Sequence, residues 1–307
     1  MQPRSSQDVC GTGAWPPVVR FAPSPNGYLH LGHAYSALRN YEFARRHGGR
    51  FLLRIEDIDI GRARPEFEAA IFDDLAWLGI EWDGPVRRQS DYFSDYAIAL
   101  EKLAARGLIY PCVCTRAEIQ IAVRGHSQWQ RDPDGSPHYP GTCRGAVHAG
   151  LAYTMADRPV SQRIDMSYAI SLLQGPLGWC EFGEGNESRF VSAEPSSWGD
   201  AVVGRKDVPG SYHIAVVIDD ALQGVTDVIR GMDLFEATSL HRLLQELLDL
   251  PAPNYRHHKL IEDEAGRKLS KSIGSMSLRE LRSQGVTPEQ IRARLGLIET
   301  VSPAGLV

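Results

Sequence analysis

The segment Arg20-Phe21-Ala22-Pro23-Ser24-Pro25-Asn26-Gly27-Tyr28-Leu29-His30-Leu31-Gly32-His33 constrains this chain more than any other. Val18 to Ala22 is a short apolar run of the kind a buried strand needs, and it breaks at Pro23-Ser24-Pro25-Asn26-Gly27, a dense turn signal. The spacing of Ala34, Leu38 and Tyr41 predicts a helix that begins around Leu31 to His33 and is stopped by Gly48-Gly49. Phe51, Leu53 and Ile55 then alternate with Leu52 and Arg54, which reads as a second strand running into Glu56-Asp57-Ile58-Asp59. Strand, rigid turn, helix and strand in that order call for parallel pairing through a crossover helix.

Further along, Pro65 reads as the first turn of a helix, since proline is tolerated where an amide has no helical partner, and Phe67, Ala70, Ile71, Leu75 and Leu78 give that helix one apolar face. Tyr92, Tyr96, Leu100 and Leu103 do the same for another, closed by Gly107. From Pro111 to about Gly199, glycine, proline and serine become frequent and periodicity weakens, as in an inserted subdomain. The α/β pattern then returns: Tyr212 to Ile218 reads as a strand, and Leu240, Leu243, Leu244, Leu247 and Leu248 as an amphipathic helix ended before Pro251. The expected fold class is α/β, a doubly wound parallel sheet in two halves. The expected divisions are a flexible leader at 1–15, a first catalytic half at 16–110, the insertion at 111–199, a second half at 200–272 and a short helical segment at 273–307.

Composition narrows the function classes. A chain of 307 residues with 43% hydrophobic and 23% charged residues can bury roughly three quarters of its unfolded surface. Mean hydropathy is -0.27, and the longest apolar stretch, Ile214 to Ile218, is far short of the ~20 apolar residues of a membrane span. The first residues lack the apolar run of a signal peptide, so a frayed leader on a soluble cytoplasmic protein is expected. Net charge is -5, from 33 basic and 38 acidic residues, so any nucleic-acid-binding face has to be local. Five cysteines, an odd count without a secretion signal, argue against a disulfide framework. Cys112, Cys114 and Cys143 lie close in sequence and read as a metal site, while Cys10 and Cys180 read as ordinary thiols.

Common phosphate loops are missing. Gly11-Thr12-Gly13 meets Pro16 where a dinucleotide fingerprint has its third glycine, and the dipeptide Gly-Lys never occurs. The start of the first helix offers a different cradle. His30 and His33 share a face there, the helix N-terminus presents free amides and a positive dipole end, and Gly32 permits close approach of a flat ligand. A second segment, Arg267-Lys268-Leu269-Ser270-Lys271-Ser272, would alone be read as a solvated basic loop.

Together these two segments, as His-Leu-Gly-His and Lys-Leu-Ser-Lys-Ser, resemble the paired signatures of class I aminoacyl-tRNA synthetases. Arg54-Ile55-Glu56-Asp57-Ile58-Asp59, Gly199-Asp200, Arg205-Lys206-Asp207, the run from Tyr212 to Asp220 and Val228-Ile229-Arg230-Gly231 resemble the glutamyl-tRNA synthetase group over most of the chain. Within it the resemblance is to the short paralogues, the glutamyl-Q tRNA(Asp) synthetases, which are similar to the catalytic half without the helical anticodon-binding domain. Only 35 residues follow Ser272, too few for such a domain.

That resemblance implies ATP-dependent activation of L-glutamate and its transfer to the queuosine base of tRNA(Asp). A minimal glutamyl-tRNA synthetase charging a tRNA 3′ end is the alternative, and a non-catalytic binding protein the contrasting class. It implies ATP contacts from His30, Gly32, His33, Lys268, Leu269, Ser270, Lys271 and Ser272, with magnesium accompanying ATP and Lys271 neutralising the charge that develops at the α-phosphate. It implies glutamate contacts from Arg20, Phe21, Ala22, Pro23, Ser24, Glu56, Tyr212 and Arg230. Glu56 would take the ammonium, leaving Asp57, Asp59, Asp219 and Asp220 to structure, and each arginine would fork one carboxylate, in an assignment left open. It also implies a structural zinc ion held by Cys112, Cys114, Tyr139 and Cys143, with His126 and His138 as rivals of Tyr139. A monomer without membrane attachment is expected.

Overall fold

The computed structural model describes Cys10, residues 16–148, 158–183, 185, 187–261 and 276–297. The chain forms two compact units, one built from Gln89–His257, to which Cys10 belongs, and one from the flanking segments Trp15–Arg88 and His258–Val307.

The flanking unit opens with β1 (Val18–Phe21), α1 (Leu31–Arg46), β2 (Arg50–Ile55), α2 (Pro65–Trp77) and β3 (Arg87–Arg88). Its three strands form one parallel sheet in the order β1-β2-β3, with Arg20 opposite Leu52 and Phe21 opposite Leu53. The short connections around α1 explain the parallel register. Gly48 adopts φ 63° and turns the chain out of the helix. At Gly49 a Cβ would lie 2.2 Å from the Pro17 carbonyl oxygen, so only glycine lets β2 start beside β1. Pro65 is the first residue of α2, as its missing amide predicts.

The Gln89–His257 unit contains α3 (Phe93–Ala105), β4 (Ile109–Cys112), α4 (Arg116–Ala122), α5 (Thr142–His148), β5 (Ser161–Ile164), α6 (Met166–Ser171), β6 (Gly178–Phe182), β7 (Ser188–Ser192), β8 (Val202–Gly204), α7 (Tyr212–Leu222), β9 (Asp227–Gly231), α8 (Ala237–Leu247) and β10 (Asn254–His258). One antiparallel sheet runs β4-β5-β8, and a second sheet runs β7-β6-β10-β9, in which β6 is antiparallel to β7 and parallel to β10. After Met276 the flanking unit ends with α9 (Leu278–Ser283) and α10 (Pro288–Arg294).

Two expectations are corrected. Tyr212 to Ile218 is the first part of α7, not a strand. Ile214 to Asp220 are all buried, so the helix has no polar face to reveal a 3.6-residue period, and its valines and isoleucines mimic a strand. Asp219 is buried at 0% exposure because it accepts hydrogen bonds from Gln89 Nε2 at 2.9 Å and Tyr96 Oη at 2.9 Å. Cys10 and Cys180 are not ordinary thiols but a disulfide, with Cα atoms 5.5 Å apart and 170 residues of sequence between them. Among the described residues no helix is long and apolar enough to cross a membrane.

Candidate active site

β1, the turn after it and the start of α1 bring several of the expected residues together. Arg20 is buried at the end of β1, and Phe21 to Ser24 lead into the turn. The Glu56 amide donates to the Pro23 carbonyl at 3.0 Å, which holds the end of β2 against that turn. The Glu56 carboxylate accepts from Arg54 Nη2 at 3.2 Å, and Arg54 is fully buried. Asp59 pairs with Arg62 at 2.7 Å, a structural contact.

His30 is the N-cap of α1. Its Nδ1 accepts from the Gly32 amide at 3.1 Å, and the His30 amide donates to His33 Nδ1 at 3.2 Å. An imidazole that accepts at Nδ1 carries its proton on Nε2, so both rings are Nε2–H tautomers. The pair therefore presents N–H donors at a helix N-terminus, the chemistry a phosphate oxygen requires. Gly32 has a steric role as well: a Cβ there would lie 3.0 Å from His30 Cε1 and push the capping ring aside.

Lys268, Leu269, Ser270, Lys271 and Ser272 lie outside the described residues, but the chain on either side of them is placed. His258 packs edge-on against Tyr35 of α1 at 5.0 Å between ring centroids. After Met276, Ser277 bridges to His30, and the Leu278 amide donates to the Leu29 carbonyl at 2.8 Å. Both flanks of the basic segment are thus fastened to the helix that carries the histidine pair.

Tyr212 and Arg230 belong to the other unit, at the start of α7 and near the end of β9. Arg230 is buried, with Nε donating to His257 Nε2 at 3.1 Å and Nη1 to His241 Nδ1 at 3.2 Å. Its Nη2 donates to the Leu234 carbonyl at 3.0 Å and to Thr238 Oγ1 at 2.7 Å. His257 in turn donates from Nδ1 to Glu181 Oε2 at 2.9 Å and from its amide to Oε1 at 2.7 Å. Burial pushes the Glu181 pKa up, but the hydrogen bonds from His257 and the Trp179 indole outweigh it and hold the carboxylate below its usual range. Beyond His241, His213 Nδ1 lies 3.2 Å from His241 Nε2. His213 is half-buried, yet the packing round its ring, and then the Arg230 charge, push its pKa down to about 4. Sequence reasoning missed Glu181, Thr238, His241 and His257, because no local motif marks residues that meet only through the fold.

The cysteine cluster lies between β4 and α5. Among the described residues, the ligand atoms of Cys112, Cys114 and Cys143 form the group able to hold a metal, all within 4.8 Å of one another. Cys114 Sγ is 3.6 Å from Cys143 Sγ and 3.3 Å from Tyr139 Oη. Tetrahedral zinc with Zn–S bonds of about 2.3 Å spaces its sulfurs by about 3.8 Å, so the donors fit that ion. His138 turns its ring to the Ser197 carbonyl, at 2.8 Å, and His126 packs against Trp129 at 5.6 Å between ring centroids. Burial, and then the neighbouring thiols, push the Cys114 pKa up to about 11 and that of Tyr139 higher still. Arg163 donates to Cys112 Sγ at 3.3 Å and stacks over the Tyr139 ring at 4.2 Å, while Lys206 donates to the Val113 and Cys114 carbonyls at 2.9 and 3.2 Å.

Residues 17–304 match the family described as the catalytic domain of the class I tRNA synthetases (E and Q). The chain belongs to that family. It is a class I aminoacyl-tRNA synthetase-like ligase with the α/β catalytic fold and parallel sheet of the class. A glutamyl-Q tRNA(Asp) synthetase of Rhodobacter capsulatus is 46% identical over 91% of this chain and 100% of its own length. A second protein of that name, from Symbiobacterium thermophilum, is 38% identical over 92% and 88%. Among solved structures, a glutamate tRNA ligase of Elizabethkingia meningosepticum in complex with its amino acid is 28% identical, with a TM-score of 0.63 over 88% of this chain. The chain spans 53% of that larger ligase.

Proposed function

We propose that this synthetase activates L-glutamate with ATP and transfers it to the queuosine base of tRNA(Asp). The observation that carries the activation step is that the histidine pair and the chain flanking the second signature meet at the start of α1. The neutral histidine pair caps the helix, and both flanks of the Lys268–Ser272 segment are fastened beside it. The acceptor follows from the relatives that match this chain over nearly their whole length and bear that name.

The carboxylate of glutamate is ionised at neutral pH and needs no general base, so positioning and charge stabilisation are what the protein supplies. His30 and His33 bind ATP phosphate through their Nε2–H groups, with Gly32 between them. Lys271 neutralises the charge developing at the α-phosphate, Lys268, Leu269, Ser270 and Ser272 complete the ATP contacts, and magnesium accompanies the nucleotide. Arg20, Phe21 to Ser24, Glu56, Tyr212 and Arg230 are the proposed glutamate contacts, Glu56 taking the ammonium. Cys112, Cys114, Tyr139 and Cys143 hold one zinc ion, which when bound ties β4 to α5.

The test is glutamate-dependent ATP–pyrophosphate exchange without tRNA, followed by transfer of labelled glutamate to queuosine-containing tRNA(Asp). Exchange with glutamate but not glutamine or aspartate, lost in Lys271→Ala, is the expected result. Label that survives removal of the 3′ CCA, and depends on queuosine in the tRNA, supports transfer to that base and not to the 3′ end. Charging of tRNA(Glu) at its terminal adenosine would refute the proposed acceptor.

A further inference from the structure

A guanidinium carries five N–H groups, and four of those on Arg230 are already directed into the protein. One goes from Nε to His257, one from Nη1 to His241, and two from Nη2 to the Leu234 carbonyl and the Thr238 hydroxyl. A single Nη1–H is left. Each acceptor is itself fixed. His257 must keep Nε2 unprotonated to accept from Arg230, so its proton sits on Nδ1, where Glu181 receives it at 2.9 Å. His241 must likewise keep Nδ1 unprotonated, so its Nε2–H faces His213 Nδ1 at 3.2 Å. The Tyr255 ring lies 5.3 Å below the guanidinium carbon and stacks parallel to His257. Glu181 is buried and receives the Trp179 indole N–H at 2.9 Å as well, so both carboxylate oxygens are engaged.

We infer that Thr238, His241 and His257, the last held by Glu181, are positioning residues that leave Arg230 one N–H and its charge for a substrate carboxylate. This arginine therefore grips the carboxylate by one hydrogen bond and not by the two-nitrogen fork that its side chain could make and that the sequence suggests. The inference rests on the proposal that Arg230 contacts glutamate. The orientation of the remaining N–H is set by the residues behind it, since a guanidinium turned about its Nε–Cζ bond would have to break three buried hydrogen bonds.

Thr238→Val keeps the shape of the side chain and removes the acceptor, whereas Thr238→Ser keeps the acceptor. The expected result is a rise of about ten-fold in the KM for glutamate for Thr238→Val, with the KM for ATP and kcat unchanged, a thermal midpoint lowered because a buried donor loses its acceptor, and recovery of both in Thr238→Ser. An unchanged glutamate KM in a folded Thr238→Val would overturn the inference. A crystal structure of the wild-type protein with glutamate decides the matter even where the variant does not fold. One contact through Nη1 with the His257 and Thr238 bonds intact supports it, and a fork through two nitrogens overturns it. Glutamate binding is also measured by calorimetry without ATP. A wild-type chain that binds glutamate but shows no exchange refutes the activity and leaves the positioning readable, while an Arg230 that touches no carboxylate removes its substrate role and the inference with it.

Discussion

Asp74 is the clearest case in which this fold bears a cost that one substitution should remove. It sits on α2 at 3% exposure, and its Oδ2 has no hydrogen-bond partner. Burial raises its pKa to about 6 from 3.8, and the nearby positive charges of Arg282 and Arg279 on α9 only partly oppose the shift. The sign follows from proton uptake. Below the unfolded value of 3.8 both states are protonated and no penalty exists. As pH rises the unfolded chain releases its proton first, so stability falls through the window up to about 6 and stays low above it. A shift of roughly two units corresponds to about 3 kcal/mol. Asp74→Asn keeps the shape and removes the charge. That shift already includes the attraction to Arg282 and Arg279, so a gain of about 3 kcal/mol at pH 7.5 is expected, or roughly 5 °C in thermal midpoint. At pH 3.5 the variant and wild type should coincide. Urea titrations at the two pH values measure the difference, and a variant less stable than wild type at pH 7.5 would refute the argument from burial.

Three other perturbations test separate parts of the molecule. Gly32→Ala should displace the His30 ring and weaken the α1 cap, raising the KM for ATP in the exchange assay about ten-fold while far-UV circular dichroism stays unchanged. His213→Gln should flatten a stability slope of opposite sign to that of Asp74. A histidine held down at about 4 is neutral in the fold, so its contribution is full above 6.5 and falls by ~3 kcal/mol as pH drops to 4, visible as a variant-minus-wild-type difference in urea midpoints. With a chelator present, thiol titration should count three reactive cysteines before reduction and five after it, and metal analysis should find one zinc per chain before the chelator is added.

The parts of this fold that could be read from sequence are those whose causes are local. Two prolines and a glycine between an apolar run and a helical repeat leave β1, its turn and α1 few alternatives. Where the determinants are tertiary, reading failed. α7 is hidden because burial on every side erases its period, and the Cys10–Cys180 bond joins points 170 residues apart with nothing in either neighbourhood to announce it. Arg230 stood out as a cation, but the number of N–H groups it has left depends on Thr238, His241 and His257, which α8 and β10 bring to it. At the thiols, the four-residue spacing of Tyr139 and Cys143 was visible, whereas the engagement of His138 with Ser197 was not.

The two cations beside the cysteine cluster have a consequence for a protein whose proposed acceptor is a polyanion. Three thiolates around a divalent ion leave one excess negative charge, and an ionised Tyr139 would make it two. Arg163, donating to Cys112 Sγ and lying over the Tyr139 ring, and Lys206, clasping the carbonyls of Val113 and Cys114, cancel that excess within a few ångströms. A metal staple held there would be electrically silent, so it would add rigidity to the Gln89–His257 unit without erecting a repulsive field against approaching phosphates.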